Sequence, residues 1–427
     1  MKVEKASGEF PPLLAAAATE EGRCASVSGA VFNLATSIIG AGIMSIPATL
    51  KVLGVVPAVL LIFAVAYMCE VSTDFLLRYT DSGSSTTYAG VMCESFGKMG
   101  SLALQISVTI TNMGCLIIYL IIIGKINYLR HHYRSRSPGG DDPFGRFAGM
   151  VWHTLVEHAP SRASHRRALC HASPPPLKAC SIGTRKEGPF ASRIIVGDLG
   201  FCKIDPQTVV FVVVSSAMAL YAFFQGKSES PRWLPDLSGN VSFFDLFTAV
   251  PVIVTAFTFH FNVHPIRYEL DKLSDMETAV RISLIICAAI YTAIGFFGYL
   301  LFGDSTMADI LTNFDRSSNS SVGALLNDIV RLSYALHLML VYPLINYSLR
   351  INIDGLIFTK SPSLSSDGTR FLLLTFFLSG FVYLAAIAFP NIWSLFQFVG
   401  STSAVCIAFI FPGAIALRSK LCIIFVL

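Results

Sequence analysis

Val31-Phe-Asn-Leu-Ala-Thr36-Ser37-Ile-Ile-Gly40-Ala41-Gly42-Ile43-Met-Ser-Ile-Pro47 is apolar enough to enter a bilayer, yet it holds two glycines, a proline and four small polar residues. Composition alone leaves two readings. Small residues let membrane helices approach one another closely, so this is a packing device. Alternatively the helix is discontinuous. Gly40 and Gly42 then free the backbone near the midplane, and the second half-helix aims its first amides at a carboxylate. Carbonyls near Thr36, Ser37 and Ile38 are left for an ammonium group or a cation. Asn33, Thr36, Ser37 and Ser45 supply polarity that a packing helix does not need.

Outward from this stretch the pattern repeats. Apolar blocks at about 28–50, 53–72, 101–124, 207–224, 243–262, 282–302, 325–349, 371–389 and 392–411 match the roughly 20 residues that cross a hydrocarbon layer. Of the 427 residues, 53% are hydrophobic and 14% charged, where a soluble chain carries about 25% charge. That excludes a soluble enzyme, a coiled coil, a nucleic-acid module and a disordered chain. Unpaired backbone groups are costly in lipid, so the spans are helical, and no short alternating strands suggest a barrel. The fold class is an all-α polytopic membrane protein. The ten cysteines are scattered without a metal-type pair and read as small packing residues. No apolar segment resembling a cleavable leader precedes the first span.

Residues 125–205 break the pattern. They hold 13 Lys/Arg against 6 Asp/Glu, six of the nine histidines and Pro174-Pro175-Pro176. On composition this is a basic loop, with nothing specific to nucleic acid. Topology makes it anomalous. Arg267, Lys272, Arg281, Arg350, Lys360, Arg370, Arg418 and Lys420 put alternate loops in the cytosol by the positive-inside rule. The sequons at Asn240 and Asn319 fall in the opposite loops. With a cytosolic N-terminus, three spans leave the chain outside at 125, whereas the next must start inside near 207. An odd number of crossings is needed within 125–205, and none is visible. The final Leu421–Leu427 is an apolar stub.

Other chemistry is sparse. Pro251-Val-Ile-Val-Thr255-Ala-Phe-Thr258-Phe-His260-Phe-Asn262-Val-His264-Pro265 offers Thr255, Thr258, Asn262 and His260 to a site facing the first span, while His264 fits an interfacial position. His337 is the one ionisable side chain between Leu332 and Leu349. An intramembrane histidine is either a proton-coupling group or a neutral hydrogen-bonded one. Glu70, Asp74 and Arg78 lie four apart and mark the cytosolic end of the second span. No metalloprotease, serine-hydrolase or phosphate-loop motif is present, so the chain is not read as an enzyme.

Taken together, Val31–Leu34, Gly40-Ala-Gly42-Ile, Glu70-Val71, Arg78-Tyr79-Thr80, Leu234-Pro235-Asp236, Phe257–Ile266, Gly298–Gly303 and Val330–Ala335 resemble the amino acid/auxin permease family, in particular plant vacuolar amino acid transporters of the AVT type. The resemblance covers about 27–124 and 205–418. It implies a LeuT-like inverted-repeat (5+5) transporter bundle, with substrate bound where broken helices 1 and 6 face helices 3 and 8. In that scheme 207–224 is helix 5 and 243–262 helix 6, so helices 4 and 11 are the ones lacking. An Arg/Pro/Ala/His-rich replacement is what an alternative reading frame or a retained intron gives; sequencing the transcript across codons 125–205 tests this. Sodium-coupled animal relatives carry an asparagine where Thr36 stands and threonines around Met339 and Val341. Too few hard ligands remain here for sodium.

The expectations are therefore these. The chain divides into a cytosolic tail (1–26), helices 1–3 (27–124), the basic segment (125–205), helices 5–10 (206–418) and an apolar stub (419–427). It moves neutral L-amino acids across an endomembrane, the vacuolar one rather than the plasma membrane, and Glu9-Phe-Pro-Pro-Leu13-Leu14 fits a sorting motif for that route. Its coupling ion is the proton and not sodium, with no metal or other cofactor. Its partners are the amino acid and the lipid bilayer, with no nucleic acid and no obligate protein partner. Gly40, Ala41, Gly42 and Ile43 hold the carboxylate; Thr36, Ser37, Thr255 and Thr258 line the rest; His337 is the candidate for proton coupling. The alternative is a non-transporting sensor or a defective, truncated isoform.

Overall fold

The computed structural model describes residues 26–134, 206–224, 230–235, 243–270, 272–314, 321–358, 364 and 367–426. The N-terminal tail with its dileucine motif, the basic stretch 135–205 and the asparagines of both sequons lie outside the described residues.

Every regular element among the described residues is helical, and there is no strand. Leaving aside helical turns of five residues or fewer, in chain order they are α1 (Val27–Ile38), α2 (Ile46–Leu53), α3 (Val55–Ser82), α4 (Tyr88–Arg134), α5 (Pro206–Phe224) and α6 (Ala249–Ala256). There follow α7 (His260–Glu269), α8 (Asp275–Phe302), α9 (Ser321–Ile357), α10 (Gly368–Ala388), α11 (Ile392–Val399) and α12 (Phe411–Val426). Each of the nine expected spans is covered by helical segments, with 28–50 and 243–262 crossing interruptions. Seven, counting α6 with α7 and α11 with α12, are long and apolar enough to cross a membrane singly. The α1–α2 pair adds one span bent by 50°, and α5 contributes the shorter apolar helix Val210–Tyr221. This is a multi-pass membrane protein.

Most helices overrun the expected ends, because backbone hydrogen bonding does not stop at the hydrocarbon boundary. α3 continues past Glu70 and Asp74 to Ser82, and its polar end is paired: Asp74 with Arg78 at 2.9 Å and Glu70 with Arg281 of α8 at 2.7 Å. α12 likewise runs on to Val426, through the boundary expected at 418.

The bundle is organised around α8, which packs on α1, α2, α3 and α5. α9 packs on α4 and α5, and α11 on α6 and α4. Two wide π-type turns, Gly400–Ala404 and Cys406–Ile410, join α11 to α12. The first of them begins where α6 comes closest. A Cβ at Gly400 would lie 2.0 Å from the Pro251 carbonyl oxygen of α6, so the two backbones touch there. Such bulges mark places where a helix is adjusted to a neighbour.

Two faces are distinguishable by their charges. On one, Arg267 of α7 is paired with Asp81 of α3, and Arg281 of α8 with Glu70 about three turns earlier on α3. On the other, residues 230–235 cap the α2–α3 corner, where the Val55 N–H donates to the Arg232 carbonyl at 2.9 Å. Gly54 turns that corner at φ 78°, with the Leu234 backbone too close for a side chain. Arg232 also pairs with Asp304 beyond α8, which puts the 303–314 loop on the same face.

Candidate functional site

The first span is broken as its glycines suggest. α1 ends at Ile38, the chain turns through Ile39 and Gly40, and a tight 3-10 turn over Ala41–Ser45 leads into α2. Pro47 sits in the first turn of α2, where its missing N–H leaves no helical bond unmade. Space, more than backbone freedom, requires the two glycines. A Cβ at Gly42 would stand 2.6 Å from the Ala256 Cβ of α6, and one at Gly40 would stand 2.9 Å from the Tyr119 hydroxyl of α4.

Ala256 is the last helical residue before a second break. α6 stops there, Phe257-Thr258-Phe259 leave the helical path, and α7 starts at His260. No glycine or proline stands at this break. It is held by neighbours: the Phe257 and Phe259 rings are fully buried, and Phe257 meets the Tyr291 ring edge-on at 5.0 Å. The two breaks touch at Gly42 and Ala256, which places two sets of interrupted backbone side by side within the bundle.

A helix end buried away from water needs partners for its free carbonyls and amides. Here they come from three other helices. The Tyr291 hydroxyl of α8 lies 2.7 Å from the Ile38 oxygen. The Tyr334 hydroxyl of α9 donates to the Gly40 oxygen, and His337 Nε2 lies 3.2 Å from the Ile39 oxygen. A carbonyl only accepts, so that Nε2 carries the proton. On the amide side, the Tyr119 hydroxyl is hydrogen-bonded to the Ala41 backbone. All four side chains are at most 3% exposed.

The expected site residues are only partly brought together. Gly40, Ala41, Gly42 and Ile43 form the break itself, and His337 reaches it. The four expected hydroxyls are engaged elsewhere or stand aside. Ser37 donates to the Asn33 carbonyl within α1 at 2.8 Å, and Thr258 reaches back from the break to the Val254 carbonyl of α6 at 2.7 Å. Thr255 is shared between the Pro251 and Phe396 carbonyls, so it ties α6 to α11 rather than facing α1. Thr36 is half-buried on α1. His260 and His264 bond Ser72 and Thr80 of α3 at 2.7 and 2.8 Å, which fastens α7 along α3. Among the described residues, no three His, Cys, Asp or Glu side chains converge as a metal site would need.

Tyr119, Tyr291 and Tyr334 are the participants that sequence reasoning missed. Tyr334 lies inside the quoted Val330–Ala335 stretch, and Tyr119 inside the uncharged third span. Their signal was a phenol in mid-span, which demands a polar partner when buried. Which partner it finds is a matter of tertiary structure.

The family described as transmembrane amino acid transporter protein matches residues 23–135 and 207–421. Among individual proteins, amino acid transporter AVT6C of Arabidopsis thaliana is 50% identical over 405 residues, 94% of this chain and 88% of its own. Amino acid transporter AVT6D of the same plant is 48% identical over 402 residues, 92% of this chain and 85% of its own. A more distant relative, solute carrier family 38 member 10 of Rattus norvegicus, is 24% identical over 400 residues, 91% of this chain but 32% of its own. The residues that form the α1–α2 break and the α6–α7 break both lie within the matched stretches, and the chain belongs to the transmembrane amino acid transporter family.

Proposed function

We propose that the chain is a secondary active transporter that carries neutral L-amino acids across an endomembrane, coupled to protons, by alternating access. The observation that carries this is the contact of two interrupted helices at Gly42 and Ala256. Side by side, such breaks offer amides for a carboxylate and carbonyls for an ammonium, the two groups every amino acid shares. Around them stand Tyr119, Tyr291, Tyr334, Phe257 and Ile43, none of which would pair with a charged substrate side chain. The broken helices correspond to the first and sixth elements of the 5+5 scheme, in which helix 4 is the one lacking. His337, bonded to the break, is suited to link a proton to the geometry of α1. The resemblance to the AVT type and the Glu9–Leu14 motif support the vacuolar membrane. Relatives named amino acid transporters over most of their length support the substrate class.

The test is uptake of a radiolabelled neutral amino-acid mixture into proteoliposomes, with and without an imposed pH gradient. Gradient-driven uptake that survives replacement of sodium by choline supports the reading; uptake that needs sodium refutes proton coupling. The second reading, a non-transporting sensor or defective isoform, draws on one observation. The family match skips 136–206, the stretch in which the topology needs a crossing. Silence from monodisperse protein under every gradient favours it.

A further inference from the structure

Tyr291 stands at both helix breaks at once. Its hydroxyl oxygen lies 2.7 Å from the Ile38 carbonyl oxygen and 3.0 Å from the Ala256 carbonyl oxygen. A phenol has one proton to donate, so it serves one carbonyl fully or both poorly. The Ile38 oxygen also receives the Gly40 N–H at 2.8 Å. Among the described residues, Tyr291 supplies the side-chain donor to the Ala256 oxygen. The ring cannot swing away, because it is fully buried and set against the Phe257 ring.

We propose that Tyr291 is a positioning residue, a clasp whose hydroxyl holds the two breaks together whenever no substrate ammonium lies between them. The inference rests on the transport reading above and adds a step to it. An α-ammonium has three protons and can satisfy both carbonyls together. The loaded carrier therefore depends on the Tyr291 hydroxyl less than the unloaded carrier does. Net transport requires the unloaded carrier to reorient, whereas exchange of one amino acid for another does not. Tyr291 thus governs the return of the unloaded carrier, acting through the two backbones and not through substrate.

The full chain and its Tyr291→Phe variant are reconstituted into proteoliposomes filled either with buffer or with an unlabelled equimolar mixture of the proteinogenic L-amino acids. Entry of the same mixture in radiolabelled form is then followed. Loss of a buried hydrogen-bond donor predicts that uptake by the variant into buffer-filled vesicles falls about tenfold. Its uptake into amino-acid-filled vesicles falls much less, so the ratio of the two modes shifts severalfold against the unaltered chain. An equal loss in both modes, as a merely structural role would give, overturns the clasp, and so does no loss in either. An unaltered chain that is silent in both modes overturns the transport reading, and the clasp falls with it. If the variant aggregates, it is purified with and without the unlabelled mixture. Monodisperse recovery only with the mixture is the expected result, and aggregation under both conditions overturns the proposal.

Discussion

Gly42 shows how little room the site leaves. Its neighbour across the break is the Ala256 Cβ, 2.6 Å from where a Cβ of its own would stand, and Ala256 is itself backbone-bound in α6. Overpacking of this kind costs on the order of 1–3 kcal/mol where the neighbours can give, and more where they are backbone. We expect Gly42→Val to abolish uptake while the detergent-solubilised protein stays monodisperse, since the strain falls on the contact of the breaks and not on the bundle. Full uptake by a folded Gly42→Val chain would show that the breaks need not touch. His337 poses a different question at the same scale. Its Nε2 proton is committed to the Ile39 oxygen, and glutamine can make that bond without being able to titrate. In His337→Gln we expect amino-acid exchange to persist while accumulation driven by a pH gradient disappears. Gradient-driven accumulation equal to that of the unaltered chain would remove His337 from the coupling mechanism.

Whole elements are held by polar contacts that the hydrophobic pattern does not display. α9 and α10 are joined at their charged ends by Asp354 and Arg370, 3.0 Å apart and each about a tenth exposed. Beside them Arg350 is bonded to Thr375 and lies 3.8 Å above the Phe371 ring. Removing one partner of a buried pair strands the other charge, at a cost of about 3–5 kcal/mol. Asp354→Ala should therefore lower the thermal midpoint sharply, and Asp354→Asn less so, as followed by thermal unfolding in detergent. Equal midpoints for all three chains would mean that water reaches the pair. The spans themselves were legible because uncharged blocks of this length have one use, and the α1–α2 break was legible because Gly40, Gly42 and Pro47 interrupt a helix locally. The α6–α7 break was expected only through the family resemblance, which implies a broken helix 6 over 243–262. Phe257, Thr258 and Phe259 carry no local signal for one, and Tyr291 and Cys69, which meet its free carbonyls, come from α8 and α3. For the same reason nothing near Thr255 in the sequence reveals that the Phe396 carbonyl lies 3.2 Å from its hydroxyl.

For the molecule as a whole, the two faces differ in what anchors them. The face with the Asp81–Arg267 and Glu70–Arg281 pairs is the one that the lysine and arginine distribution puts in the cytosol. The opposite face is closed by the 303–314 loop, which is fastened to the bent first span. The Ser45 hydroxyl donates to the Ala308 carbonyl at 2.7 Å, and the Lys51 ammonium donates to the Thr306 carbonyl at 3.1 Å. Within the loop Asp309 is 3% exposed and caps the turn Ile310–Asn313 by accepting the Leu311 N–H at 3.1 Å. Burial pushes its carboxyl up to about 6, against the opposing pull of Lys125, of the Leu311 and Thr312 hydrogen bonds and of Arg331. The sign follows from linkage. A carboxyl whose value is higher in the folded protein than in the unfolded chain binds its proton more tightly when folded. Its contribution to stability is complete below the ordinary carboxylate value and is lost as pH rises through about 6. The packed loop is thus more secure in acid than at neutrality, by roughly 3 kcal/mol at most. Asp309→Asn keeps the capping oxygen and removes the titration. We expect the variant to unfold at a higher temperature than the unaltered chain at pH 7.5, by about half that margin at pH 5, and at nearly the same temperature near pH 3.5, below the ordinary carboxylate value. A variant that loses stability at pH 7.5 would show instead that the charged carboxylate, paired with Lys125 and Arg331, is what holds the loop on α2.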